Sequence, residues 1–140
     1  MSVTAMKGDI LGSTADLIAI PVNCIGIQGA GLAKAWAERD PDAAGRYRQL
    51  CHNEQPEPGS VAFLVGTRWA LCATKDHWRD PSRVAWVREC LTVLRESEKW
   101  QTLAVPLLGA GLGGLSPAAV AQMTIGQFAN DARRVEMWAR

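Results

Sequence analysis

The chain has 140 residues, 48% hydrophobic and 21% charged, with a formal net charge of +1. That is the composition of one globular domain with a proper core, and it excludes a disordered chain. The near-neutral balance also excludes a broad electrostatic grip on duplex DNA, so any nucleic-acid contact must be local.

Val3 to Lys7 reads as a short first strand, broken by Gly8-Asp9-Ile10-Leu11. Asp16 to Val22 (DLIAIPV) is apolar without alternation, the pattern of a strand covered on both faces. A glycine-rich loop follows from Asn23 to Leu32. Leu32 to Arg39 reads as a helix with Leu32, Ala35 and Trp36 on one face. Asp40 then caps a second helix, opened by Pro41 and running to about His52. The polar loop Asn53 to Gly59 is too short for a domain linker. Ser60–Val65 and Arg68–Thr74 read as two strands of a hairpin around Gly66-Thr67. Lys75 to Asp80 is a polar loop, and Pro81 or Ser82 opens a helix to about Lys99. Thr102–Pro106 is another buried strand, and a second glycine-rich loop runs from Pro106 to Leu115. Ser116-Pro117 starts a helix to about Asn130, and Val135 to Trp138 closes the chain as a strand.

Strands alternating with helices predict an α/β domain, helices on both faces of a mostly parallel sheet that the hairpin makes mixed. Both glycine loops and Lys75 fall at the carboxyl ends of strands, where such sheets bind ligands. Glycine lets the backbone approach a ligand closely, and a helix N-terminus beyond it offers free N–H donors. That combination suits phosphate, and two such loops suggest more than one phosphate. Cys24, Cys51, Cys72 and Cys90 form no CxxC pair, so no metal site is expected. Cys72 and Cys90 sit in apolar surroundings as buried thiols, which fits a reducing cytoplasm. No segment has the length of a membrane span, and the N-terminus lacks the apolar stretch of a signal peptide.

Gly109, Gly111 and Gly114 satisfy GxGxxG, but a dinucleotide-binding half needs a further strand ending in an acidic residue and more βα units. The 26 residues after Gly114 hold one helix and one short strand, which excludes that fold. Neither loop ends in Gly-Lys-Ser/Thr, so there is no P-loop.

Lys7-Gly8-Asp9-Ile10-Leu11, Ile20-Pro21-Val22-Asn23, Gly29-Ala30-Gly31-Leu32-Ala33 and Val105 to Gly111 together resemble a macrodomain, the ADP-ribose-binding module. Ala73-Thr74-Lys75-Asp76-His77-Trp78-Arg79 and Gly113-Gly114-Leu115 resemble the branch of the DNA ADP-ribosyl glycohydrolase antitoxins. Human terminal ADP-ribose glycohydrolase is a more distant resemblance. The family implies a three-layer α/β/α fold with a mixed central sheet and ADP-ribose in a cleft across its edge. Carried over, Asp9 would accept a hydrogen bond from the adenine amino group, with backbone support from Ile10. Acceptor-only chemistry suits that edge, though Asp9 also fits a plain turn after Gly8. Asn23 would face the distal ribose, or else stabilise its own turn. Gly29, Ala30, Gly31 and Leu32 would cradle the distal ribose and a phosphate. Gly109, Ala110, Gly111, Leu112 and Gly113 would wrap the diphosphate. Trp138 would stack on adenine, or serve as an ordinary core tryptophan.

The same resemblance makes Lys75 the catalytic residue. Cleavage at the anomeric carbon builds positive charge on the sugar and negative charge on the leaving group. A lysine serves as a nucleophile if its pKa is lowered by partial burial, or stays charged and stabilises the leaving group. A structural role is expected for His77, Trp78 and Arg79, the segment that in relatives shapes the wall beside the distal ribose. Two departures stand out: Ala30 lies where many antitoxin relatives carry lysine, and Gly113 where the glutamate-directed relative carries an aspartate. The second favours DNA over glutamate as the modified group. The expected partners are thus ADP-ribosylated single-stranded DNA and a cognate ADP-ribosyltransferase toxin, with the chain a monomer needing no cofactor. No second antitoxin-type domain is expected in 1–140, so neutralisation would rest on hydrolysis. The alternatives are a phosphatase acting on ADP-ribose 1″-phosphate and a module that only binds ADP-ribose.

Overall fold

A computed structural model describes residues 3–139. Its strands are β1 (Val3–Lys7), β2 (Leu17–Asn23), β3 (Val61–Phe63), β4 (Trp69–Lys75), β5 (Thr102–Pro106) and β6 (Arg134–Ala139). They form one sheet in the order β1-β6-β5-β2-β4-β3. Every neighbouring pair is parallel except β3 with β4, so the sheet is mixed, as expected. The helices are α1 (Gly31–Arg39), α2 (Pro41–Glu54), α3 (Val84–Glu96) and α4 (Pro117–Phe128).

The unbroken apolar run in β2 has a simple cause. Ile18, Ile20 and Val22 pack on one face, in a core with Trp36 of α1 and Tyr47 and Cys51 of α2. Leu17 and Ala19 pack on the other, with Val87, Cys90, Leu91 and Leu94 of α3 and Val120 and Phe128 of α4. Successive side chains point to opposite faces, so a strand with a core on each side has no polar face to alternate. The result is three layers with the sheet in the middle.

Asp40 caps α2 as expected, accepting the Ala43 N–H at 3.1 Å, with Pro41 opening the helix. Such a cap contributes about 1 kcal/mol. The same carboxylate accepts Trp69 Nε1–H at 2.7 Å and so ties α2 to β4. All four cysteines are free and buried.

Several boundaries differ from expectation, among them three that bear on the site or the hairpin. The third helix begins at Val84, not Pro81 or Ser82, because the Ser82 N–H is drawn to the Gly113 carbonyl at 2.9 Å and Arg83 stays extended. The hairpin's first strand is only Val61–Phe63; Thr67 turns the chain by bonding its N–H and hydroxyl to the Leu64 carbonyl. Lys75 is the last residue of β4, not the first of a loop.

Candidate active site

A cleft of about 750 Å³ lies across the carboxyl ends of the strands. Every site residue named from the sequence lines it: Asp9, Ile10, Asn23, Gly29 to Leu32, Lys75, Gly109 to Gly113 and Trp138. The strand order spreads them along the sheet edge. Asp9 follows β1 and Trp138 lies on β6, while Asn23 and Lys75 end β2 and β4. β6 and β4 are three strand steps apart, about 14 Å at the usual spacing. The second glycine loop leaves β5, between them.

At the β1–β6 end, Asp9 Oδ1 accepts the Leu11 N–H at 3.0 Å and opens a single 3-10 turn, Ile10–Gly12. The turn role and a free second carboxylate oxygen coexist in Asp9, whose carboxylate has no other partner among the described residues. Trp138 Nε1–H donates to Glu136 Oε1 at 3.0 Å, and the Ser13 hydroxyl donates to the same oxygen at 2.6 Å. This buried carboxylate sets the indole beside Gly8, where a Cβ would lie 3.8 Å from Trp138 Cζ3.

In the middle the two glycine loops behave differently. α1 begins inside the first loop at Gly31, and Ala30 supplies no side-chain cap, so its leading amides stay open in the cleft wall. The second loop joins β5 to α4, as expected, but holds a turn of its own on the way. It closes a 3-10 turn, Gly111–Gly113, and α4 starts later, with Ser116 Oγ accepting the Ala119 N–H at 3.3 Å. The amides of Ala110 and Gly113 bond the carbonyls of Leu107 and Ala110, and Leu112 at the tip stays exposed in the cleft lining. The loops meet over the cleft: a Cβ on Gly31 would stand 3.1 Å from Leu112 Cδ1.

At the β2–β4 end the register slips by one residue. Val22 pairs with Ala73, but Asn23 pairs with Lys75, leaving Thr74 as the extra residue. This bulge sets Lys75 beside Asn23. Lys75 Nζ donates to the Trp78 carbonyl at 3.2 Å, and no carboxylate pairs with it among the described residues. The Asn23 amide is spent on its own loop. Its Oδ1 accepts from Ile25, Gly26 and Ile27, Gly26 being nearest at 2.9 Å, and its Nδ2 donates to the Ile27 carbonyl at 2.6 Å. The turn-stabilising role left open from sequence is therefore filled. Tyr47, donating to the Asn23 carbonyl at 2.8 Å, holds the strand end from below. Burial, with Asp76 adding to it, pushes the neighbouring Cys24 thiol up to about 12, so this sulfur is not a nucleophile at neutral pH.

Three further residues of the cleft lining stand out. Trp78 belongs to the segment expected to shape the wall beside the distal ribose, while the sequence reading gives Gln28 and Ser82 no part in the site. Trp78 lines the cleft and is 54% exposed, whereas His77 and Arg79 stay outside its lining. Gln28 Nε2 and Ser82 Oγ are buried in the cleft wall with no protein partner. Ser82 read as a helix start, and its contact with Gly113 joins residues too distant in sequence to pair by inspection. Gly113 is also more constrained than expected: its carbonyl is bound by Ser82, and a Cβ there would collide with that residue's hydroxyl.

The mixed six-stranded sheet between two helical layers, with paired glycine loops over its edge, defines a macrodomain. No protein-family model matches the chain. A DNA ADP-ribosyl glycohydrolase of Mycobacterium tuberculosis is 31% identical over 137 residues, covering 90% of this chain. The solved macrodomain of Mycobacterium tuberculosis DarG superposes with a TM-score of 0.88 at 27% identity, covering 99% of this chain and 97% of that one. A DNA ADP-ribosyl transferase–DNA ADP-ribosyl glycohydrolase fusion protein of Thermosipho africanus is 28% identical over 138 residues, 81% of this chain. The structure of DarTG from that organism in complex with ADP-ribose gives a TM-score of 0.88 at 24% identity, covering 98% of this chain and 41% of that one. This chain belongs to the macrodomains of the DarG type. It spans 38% of the length of the mycobacterial relative and 36% of the Thermosipho protein.

Proposed function

We propose that this chain is an ADP-ribosyl glycohydrolase that removes ADP-ribose from modified DNA, with Lys75 as its catalytic residue. The observation that carries this is the position of the Lys75 ammonium. It sits at the β4 end of a cleft whose other end offers a carboxylate and an indole, and a neutral carbonyl rather than a carboxylate holds it. In this reading adenine lies between Asp9 and Trp138, with Ile10 supporting it. The diphosphate runs beneath Leu112 and over the leading amides of α1. The distal ribose reaches Lys75, while Asn23 acts by shaping the loop around it.

When the bond at the anomeric carbon breaks, its electron pair leaves with the base. An ammonium beside that bond stabilises the departing charge and supplies a proton; water then adds to the sugar cation at the anomeric carbon and returns a proton to the amine. The relatives' names, as DNA ADP-ribosyl glycohydrolases, support the reaction class and DNA as the modified molecule. The Thermosipho fusion supports a cognate ADP-ribosyltransferase as the source of the substrate. Single-stranded DNA, a monomeric state and a cytoplasmic setting complete the reading; four unpaired cysteines suit a reducing compartment. No helix among the described residues is long and apolar enough to cross a membrane.

The test is incubation with thymidine-ADP-ribosylated single-stranded DNA. The native protein restores unmodified DNA, and Lys75→Ala loses about 100-fold or more in rate, the scale of a lost acid or charge stabiliser, while still binding free ADP-ribose. Full release by the variant overturns the assignment of Lys75. Binding without release by the native protein makes the chain a non-catalytic ADP-ribose module. Borohydride added during turnover separates the two lysine routes: a covalent adduct on residue 75 marks the nucleophilic one, in which the amine forms a transient imine with the opened ribose.

A further inference from the structure

Trp78 is an unusual residue for its place. It is 54% exposed, yet it belongs to the cleft wall, and its carbonyl receives the Lys75 ammonium. Its ring rests against His77, with centroids 5.3 Å apart and planes tilted by 41°. The His77 ring is itself fixed, since Nδ1 accepts the Arg79 N–H at 3.3 Å. The indole is thus braced from its own loop while about half of the residue stays open. Ile27, 45% exposed, lines the same cleft, and the two segments are stitched together where the Cys24 N–H meets the Asp76 carbonyl at 3.1 Å. This rim is apolar and aromatic beside the one ammonium of the cleft lining.

Whatever leaves from the sugar must leave past Lys75, and the group adjoining Lys75 is Trp78. An aromatic face with an aliphatic neighbour suits a flat, weakly polar leaving group and offers a peptide carboxylate nothing. We propose that Trp78 is the leaving-group subsite, a stacking platform for the nucleobase that carries the ADP-ribose, and hence a specificity residue for base-linked substrates. The inference rests on the glycohydrolase reading above. It also requires an open substrate strand: a base held in a duplex is stacked and paired, and must be unstacked before it can lie on another aromatic face.

The experiment compares the native chain with Trp78→Ala and Trp78→Phe on two single-stranded oligonucleotides. One carries ADP-ribose on a thymine base and the other on a terminal phosphate, which leaves without a base. Expected for Trp78→Ala is a rise in KM of about tenfold on the base-linked substrate, the scale of one lost base stack, with kcat changed much less. The rise on the phosphate-linked substrate is at least fivefold smaller, and Trp78→Phe recovers most of the loss. Equal effects on both substrates, or no effect on the base-linked one, overturn the subsite. A native protein that releases ADP-ribose from neither substrate overturns the activity itself, and the subsite with it. Circular dichroism and urea midpoints matching the native protein establish that the exposed substitution has left the fold intact; a collapse of both would show Trp78 to be structural and overturn the proposal.

Discussion

Gly109 and Gly111 sit two residues apart in one loop, both with positive φ, and their substitution should separate stability from binding. At Gly109, φ is +80°, and a Cβ would lie 2.7 Å from Leu115 Cδ1 and 2.8 Å from Val87 Cγ2. An alanine there suffers the left-handed backbone cost of roughly 1–2 kcal/mol. It also overpacks a closed core, at roughly 1–3 kcal/mol. Gly109→Ala should therefore destabilise the domain by about 2–5 kcal/mol, a large share of the roughly 5–15 kcal/mol that holds a domain folded. At Gly111, φ is +64° but nothing stands within 4 Å of a Cβ. Only the conformational cost of roughly 1–2 kcal/mol applies there. The added methyl points into open space in a loop that lines the cleft, so Gly111→Ala and larger residues should weaken ADP-ribose binding. Urea denaturation at 25 °C gives the stabilities and titration calorimetry the affinities. A Gly109→Ala protein within 0.5 kcal/mol of native, against the estimate of about 2–5 kcal/mol, would refute the packing argument. Unweakened binding by a bulky residue at 111 would refute the placement of the phosphate path.

Two further outcomes follow from side chains that serve two elements at once. Asp40→Ala removes the cap of α2 and the acceptor of Trp69 Nε1–H together, so unfolding should show a loss of about 1–3 kcal/mol; a loss below 0.5 kcal/mol would contradict the double role. Asp131, clasped by Arg133 with the shortest contact at 2.8 Å, has its carboxyl held below the usual value by that guanidinium. A group ionising lower in the folded state stabilises it fully above its unfolded value, near pH 4, and loses that effect as pH falls through the lowered folded value. Asp131→Asn should thus flatten the fall in urea midpoint below about pH 4, and an unchanged slope would remove this pair from the acid response.

Much of this architecture was legible because the apolar strands and glycine loops announce themselves locally. Asp16 to Val22 could be read as buried on both faces since an unbroken apolar run leaves no other reading, and Asp40-Pro41 is a cap written in two letters. The cleft lining followed from the family resemblance, and every binding or catalytic residue carried over from it arrived there. What escaped were features made by contacts between distant segments. The start of α3 was misplaced because Pro81-Ser82 has local helix-start chemistry, while the Gly113 carbonyl, 31 positions on, takes the Ser82 N–H and Arg83 stays extended. The second loop's 3-10 turn was invisible because glycine-rich stretches carry little side-chain information about their own conformation. Asn23 showed the limit of type-based reasoning: the same amide suits a ribose or a turn, and only the four hydrogen bonds of its loop distinguish them.

Thr74 has no opposite number on β2. Since side chains along a strand change sides at every step, this lone supernumerary residue works as a phase shift. Removing it would restore regular alternation, bringing position 75 one step, roughly 3.3 Å, back along the strand while leaving it opposite Asn23. The placing of the ammonium is accordingly a matter of counting as much as of chemistry. A one-residue deletion in β4 would draw the ammonium back from the proposed centre with every one of its functional groups still encoded.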